Sequence, residues 1–301
     1  MAGFTSYAER IDAQKIRARS QSFFDHFSQA TLFYNSQSEP EKNHIVRAFR
    51  FELGKVETPS IRERMLFLIS QVDKALANRV AEGLGLSVPS KLDKPLNMNI
   101  PADGDPRRFQ PKRVSQGIEE SPALSMVDNP NFPKDTIKTR KIAFLMADGF
   151  DDVAVSDMKK ALMTAGAQAL TVAPRLGVLT GAKGEECKAD FSFLTGSSVL
   201  FDAVYVPGGE ASVAALEGEG EVSNFVNEAY EHCKAIAATG AGVELLTRFL
   251  GEKLSDKNTS GEPVAANEGV VTSREAATDK VASVFIEAIA QHRHWEREKS
   301  I

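Results

Sequence analysis

Apolar residues along this chain follow three successive patterns. Over residues 1–83 they recur at helical spacing. Ser38-Glu39-Pro40-Glu41 has capping-box spacing with proline in the first turn, and Ile45, Val46, Phe49 and Leu53 then share a face up to Gly54. Thr58-Pro59 opens a second helix, whose stripe Ile61, Met65, Leu68, Ile69, Val72, Leu76 and Val80 runs to Gly83. Upstream, SFFDHFSQATLFY crowds Phe23, Phe24, Phe27, Leu32, Phe33 and Tyr34 together. Three amphipathic helices are predicted, with a stripe apolar enough to expect a larger partner.

Between residues 84 and 140 the periodicity disappears. Eight of the 13 prolines fall in this stretch. Each removes a backbone donor and restricts its predecessor, so an extended connector is expected, draped over a surface or mobile.

From Lys141 the pattern alternates. Strand-like runs at 141–146, 169–173, 202–206 and 235–238, with a last one at 269–272, are separated by helical stretches at 153–165, 211–216, 222–233 and 243–250. A closing helix is expected from Ala276 to Gln291, and short strands around a glycine-rich excursion over 177–193. The alternation predicts an α/β domain at 141–301, a flavodoxin-like doubly wound parallel sheet covered on both faces.

Charge sharpens the division. The net charge of −5 conceals a C-terminal part, residues 141–301, with 15 basic and 24 acidic side chains. Nucleic acid and anionic membrane surfaces are poor partners for it, and no apolar run reaches the roughly 20 residues of a membrane span. Charges interrupt the first 24 residues, which do not read as a signal peptide. Cys187 and Cys233 lack zinc-type spacing and read as two buried, inert thiols. His292-Arg293-His294 reads as a solvated tail and His26 as a hydrogen-bonded interface residue, so no metal site is expected.

Ligands of such a sheet gather at the carboxyl ends of the strands, here the turns Asp148–Asp152, Pro207–Glu210 and Thr239–Gly242. None carries a GxGxxG or phosphate-loop pattern. KAIAATGAGVELLTRFL reads as strand, tight turn and helix, the architecture of a nucleophile elbow. Gly240 occupies the exposed position between Thr239 and Ala241, so the reacting atom is missing. Asp151 and Asp152 could supply a general base, but carboxylates at this place are first of all helix N-terminal residues.

FFDHFSQATLFYNSQSEPEKNHIVRAFRFELGKVE closely resembles the C-terminal helical region of the heme catalases. Residues 4–301 as a whole resemble the tail of the large-subunit members, which continue through a long connector into a flavodoxin-like domain. The resemblance implies a parent homotetramer that dismutes hydrogen peroxide with heme. In that family the heme-pocket histidine and asparagine, the proximal tyrosine and its RxxxY arginine precede the region matched, and no RxxxY occurs in residues 1–83. The expectation is a chain without heme, metal or catalytic residues of its own. Residues 141–301 also resemble the class I amidotransferase-like superfamily, where the elbow bears a cysteine. That alignment places Gly240 at the cysteine, Ala241 at its histidine neighbour and Asp151 at the acidic position.

Three expectations follow. The first is a structural module that stabilises the parent through its own barrel and sister subunits. Cut free, it would offer Phe23, Phe24, Phe27, Phe33, Tyr34, Ile61, Met65, Leu68, Val72 and Leu76 to unfolding client proteins as an ATP-independent chaperone. The second is a residual hydrolase using Asp151 and Thr239. The third is a small-molecule gate for the parent.

Overall fold

The computed structural model describes residues 3–13, 19–102, 104–112, 117–260, 262–275 and 279–298. Two compact units divide at Pro130 and Asn131, inside the proline-rich stretch.

The first unit is helical: α1 (Ser28–Asn35), α2 (Glu39–Gly54), α3 (Pro59–Val72) and α4 (Lys74–Gly83). Its core is Val46, Leu53, Leu66, Ile69, Leu76, Ala77 and Val80. The single helix expected from Pro59 to Gly83 is two. Asp73 is extended (φ −154°, ψ 131°), and its carboxylate accepts the Leu76 N–H at 2.7 Å, so it caps a new helix instead of continuing the old one. Residues 3–13 are not helical either. Phe4, Tyr7 and Ile11 have helical spacing but lie exposed, and a short helix with nothing to pack against is not stable in water.

Connector residues 119–126 drape over the helical unit through specific bonds. Ser121 N–H donates to Ser36 Oγ at 2.8 Å, and Gln37 Nε2 donates to the Leu124 carbonyl at 3.2 Å. Glu41, the capping-box glutamate, is the hub. Its carboxylate accepts Ser38 N–H (2.9 Å), Ser125 Oγ–H (2.7 Å) and Met126 N–H (2.7 Å). Burial pushes this carboxyl up, but those donors outweigh it and hold it below its ordinary value.

The second unit is a seven-stranded sheet flanked by helices. Its strands are β1 (Lys141–Leu145), β2 (Gln168–Ala173), β5 (Phe191–Ser192), β6 (Ala203–Val206), β7 (Ala235–Thr239), β8 (Ala265–Asn267) and β9 (Val270–Ser273), in the order β5-β2-β1-β6-β7-β9-β8. All pairings are parallel except that of edge strand β8 with β9. A separate antiparallel hairpin, β3 (Gly177–Thr180) with β4 (Glu186–Ala189), fills the glycine-rich excursion.

Side-chain alternation splits the core in two. Ile142, Phe144 and Tyr205 pack under α5 (Asp152–Thr164) and α10 (Asp279–Ala290), through Met158, Leu162, Phe285 and Ile289. Ala143, Leu145, Val204 and Val206 pack under α6 (Glu210–Glu217), α7 (Gly220–Glu231) and α8 (Gly242–Leu250), through Leu216, Phe225, Val226 and Leu246. A short α9 (Asp256–Thr259) precedes β8. Helices therefore cover both faces of a mostly parallel sheet, the α/β class expected. The closing helix is described from Asp279, and the expected start at Ala276 lies outside the described residues.

The histidine-rich end is packed. His294 is 8% exposed, its N–H donates to the Cys233 carbonyl at 2.7 Å, and Nε2 lies 3.0 Å from the Ala288 carbonyl. Its ring lies against Gly269, where any Cβ would collide with it. The expectation of a solvated tail is thus corrected, because this segment closes over the amino end of β9.

Candidate functional site

Three turns converge at the carboxyl ends of β1, β6 and β7. The contacts between them require glycine. A Cβ on Gly209 (φ +108°) would come within 2.3 Å of the Gly149 carbonyl, and one on Gly242 within 2.4 Å of the Val206 carbonyl. Gly240 differs. Its φ is +53°, as an elbow residue's is, yet a Cβ there would meet only the Gly208 Cα, at an ordinary 3.5 Å. The elbow keeps the backbone turn and the room for a side chain, without the side chain.

The neighbouring groups are engaged elsewhere. Thr239 is fully buried and its Oγ1 lies 2.7 Å from the hydroxyl of Tyr205, itself in the core, where burial pushes the phenol far up. Asp151 caps α5, accepting the Val153 and Ala154 N–H groups at 3.1 Å each. Asp152 is 4% exposed and accepts N–H groups from Lys183 (2.7 Å) and Glu185 (2.8 Å). Burial pushes its carboxyl up, and those backbone donors prevail and bring it down. It ties the turn between β3 and β4 to the start of α5.

Beside Gly240 and Ala241 lies a cleft of about 340 Å³ whose polar lining is Glu210, Glu217, Glu244 and Arg274. Arg274 pairs with Glu244 at 3.4 Å, and Glu217 with Arg248 at 2.7 Å. No hydroxyl, thiol or imidazole faces this cleft among the described residues.

The apolar residues singled out in the first unit are only partly brought together. Phe33, Tyr34, Val72 and Leu76 line one groove of about 460 Å³, with Ala30, Ile45, Phe49 and Ile69; its one polar lining residue is Glu52. Phe33 is 48% exposed at this groove. Tyr34 and Leu76 were expected on the surface and are instead 7% and 3% exposed. Their side chains pack into the helical core and offer the groove only their edges. Phe23 and Phe24 lie edge to face at 6.1 Å, and Phe24 meets Phe109 at 5.6 Å. Phe27 lines a second hollow with Thr31 and Pro111. Ile61 is half exposed near the start of α3, and Met65 and Leu68 are partly buried along it. Ile45 and Phe49 share a helix face in the sequence pattern, but that they wall a groove follows only from the packing of α1 against α3 and of α2 against α4.

Cys187 also differs from expectation. Cys233 is buried, but Cys187 is only partly so, since β4 belongs to an outlying hairpin.

Comparison with known proteins agrees with this division. Residues 20–84 match the family model described as catalase-related immune-responsive, and residues 138–299 match the C-terminal domain found in long catalases. The chain is 38% identical over 298 residues to catalase HPII of Mycobacterium avium, covering 98% of this chain and 38% of that protein. It is 35% identical over 296 residues to catalase-2 of Bacillus subtilis (98% and 37%) and 34% over 309 residues to catalase-1 of Neurospora crassa (98% and 39%). It thus spans under two-fifths of the length of these relatives. With the domain model matching more than half of its residues, the chain belongs to the long-catalase family, as a C-terminal catalase region.

Proposed function

We propose that this chain is a structural and interaction module: it steadies a parent catalase tetramer and, on its own, holds unfolding proteins without ATP. The parent dismutes hydrogen peroxide with heme held outside this region. The partners of this region are the parent's own barrel, its sister subunits and apolar client segments, rather than nucleic acid or membrane. Among the described residues, no helix is long and apolar enough to cross a membrane.

The observation that carries the reading is the apolar groove of the helical unit, with Phe33 half exposed beside it. An open apolar concavity of about 460 Å³ is what an extended hydrophobic segment needs. The net charge of −9 over residues 141–301 supports solubility of a loaded complex.

The same proposal assigns no heme to this region, and the engagement of its tyrosines supports that. Tyr205 is bonded to Thr239, the Tyr230 hydroxyl donates to the Lys253 carbonyl at 2.6 Å, Tyr34 is packed in the helical core, and Tyr7 is 87% exposed. Among the described residues, no three His, Cys, Asp or Glu side chains come together to hold a metal ion.

The test is light scattering of a heat-labile client enzyme warmed with and without the chain. Suppression at equimolar chain, unchanged by removing ATP, is expected. Full aggregation of the client at that ratio or above would end the chaperone reading.

A further inference from the structure

Two nucleophiles from distant parts of the second unit touch on its hairpin side. Lys159, on the third turn of α5, donates from Nζ to Cys187 Sγ on β4 at 3.0 Å. The same Nζ donates to Thr171 Oγ1 of β2 at 3.1 Å, and Thr171 Oγ1 lies 3.4 Å from Sγ, so hydroxyl, amine and sulfur form a closed triangle. The Phe144 ring lies 5.6 Å from the ammonium. Among the described residues this ammonium forms no ion pair with a carboxylate, and its hydrogen bonds go to the Thr171 hydroxyl and the Cys187 sulfur. Thr171 is fully buried and fixes one side of the triangle, while Cys187 and Lys159 are partly exposed and open to a small solute.

We propose that Cys187 and Lys159 are an oxidisable pair that closes a covalent Sγ–Nζ bond when hydrogen peroxide oxidises the thiol. In the first step Sγ attacks one peroxide oxygen and the O–O bond breaks. The sulfur loses two electrons to the peroxide, a sulfenic acid forms, and the departing hydroxide leaves as water with the thiol proton. In the second step Lys159 gives one ammonium proton to solvent and its nitrogen lone pair attacks Sγ. The S–O bond breaks, and the hydroxyl leaves as water with one amine proton. The sum is thiol, ammonium and peroxide giving an S–N bond, two waters and one proton. The contact makes capture of the sulfenic acid intramolecular and fast compared with further oxidation. The bond fastens the β3–β4 hairpin to α5, closing a loop between positions 28 residues apart.

The test treats the full chain with hydrogen peroxide, blocks remaining thiols, digests it without reductant and reads the peptides by mass spectrometry. Expected is a peptide pair joined through Lys159 and Cys187, lighter than the sum of its parts by two hydrogen atoms and released by dithiothreitol. Lys159→Arg keeps the charge and folds; there the pair is lost and Cys187 is trapped by dimedone as its sulfenic acid. Buried Cys233 stays unmodified in both. The proposal is overturned if Cys187 of the unmutated chain goes to dimedone adduct or sulfinic acid without a Lys159 link, or does not react with peroxide.

Discussion

Gly240 and Gly242 are two residues apart and glycine for opposite reasons. At Gly242 an added Cβ meets the Val206 and Pro207 carbonyls, backbone atoms that cannot yield, so Gly242→Ala costs about 3 kcal/mol. At Gly240 there is room and only a positive φ to satisfy, so Gly240→Ala costs about 1–2 kcal/mol. Urea unfolding of the two variants reads the difference directly. His292 gives a pH signature. Burial, then Arg293 and Arg140, push its imidazole down to about 4 from 6.5. The unfolded chain therefore takes up a proton near pH 6.5 that the folded chain refuses until about 4. Stability is retained above pH 6.5 and declines as pH falls towards 4, by roughly 2 kcal/mol after allowance for partial exposure. His292→Asn, which tolerates the residue's φ of +69°, flattens that acid limb in melts taken across the interval. The elbow was legible at this scale because a glycine-rich turn between an apolar run and an amphipathic helix is a local signal. The inward turn of the Thr239 hydroxyl and the contact of Lys159 with Cys187 were not, since each depends on a partner 34 or 28 positions away.

Among the elements, the parallel strands were readable from short β-rich runs between helical stretches, whereas their order in the sheet depends on long-range pairing that no local pattern carries. Strand β8 escaped because Ala-Ala-Asn has no β-branched or aromatic residue, and its place comes from pairing with β9. The break between α3 and α4 had a signal, an aspartate directly before Lys74, overridden by the unbroken apolar stripe. Removing that cap with Asp73→Ala costs about 1 kcal/mol in a thermal melt. Proline content foretold an extended connector but not that Glu41 pins it. Glu41→Ala removes the acceptor for Ser38, Ser125 and Met126, costs about 2–3 kcal/mol, and exposes residues 117–130 to protease sooner than in the unmutated chain. Because those donors hold the Glu41 carboxyl below 4.5, the same attachment persists above that pH and loosens as pH falls below it.

For the whole molecule, composition and charge separated a helical part from an acidic α/β part, and the contacts divide it in the same region, at Pro130. An apolar excess over residues 1–83 was legible as a sum; its gathering into one groove required the packing of α1 and α2 against α3 and α4. That groove is the proposed interaction surface. The most direct measurement compares client light scattering for the unmutated chain and for Phe33→Glu, a change at a half-exposed position that leaves the helical core intact. With the melting temperatures matched, the unmutated chain is expected to suppress scattering and Phe33→Glu to lose most of that protection. Equal protection by both chains would contradict it, placing the activity, if any, away from the groove.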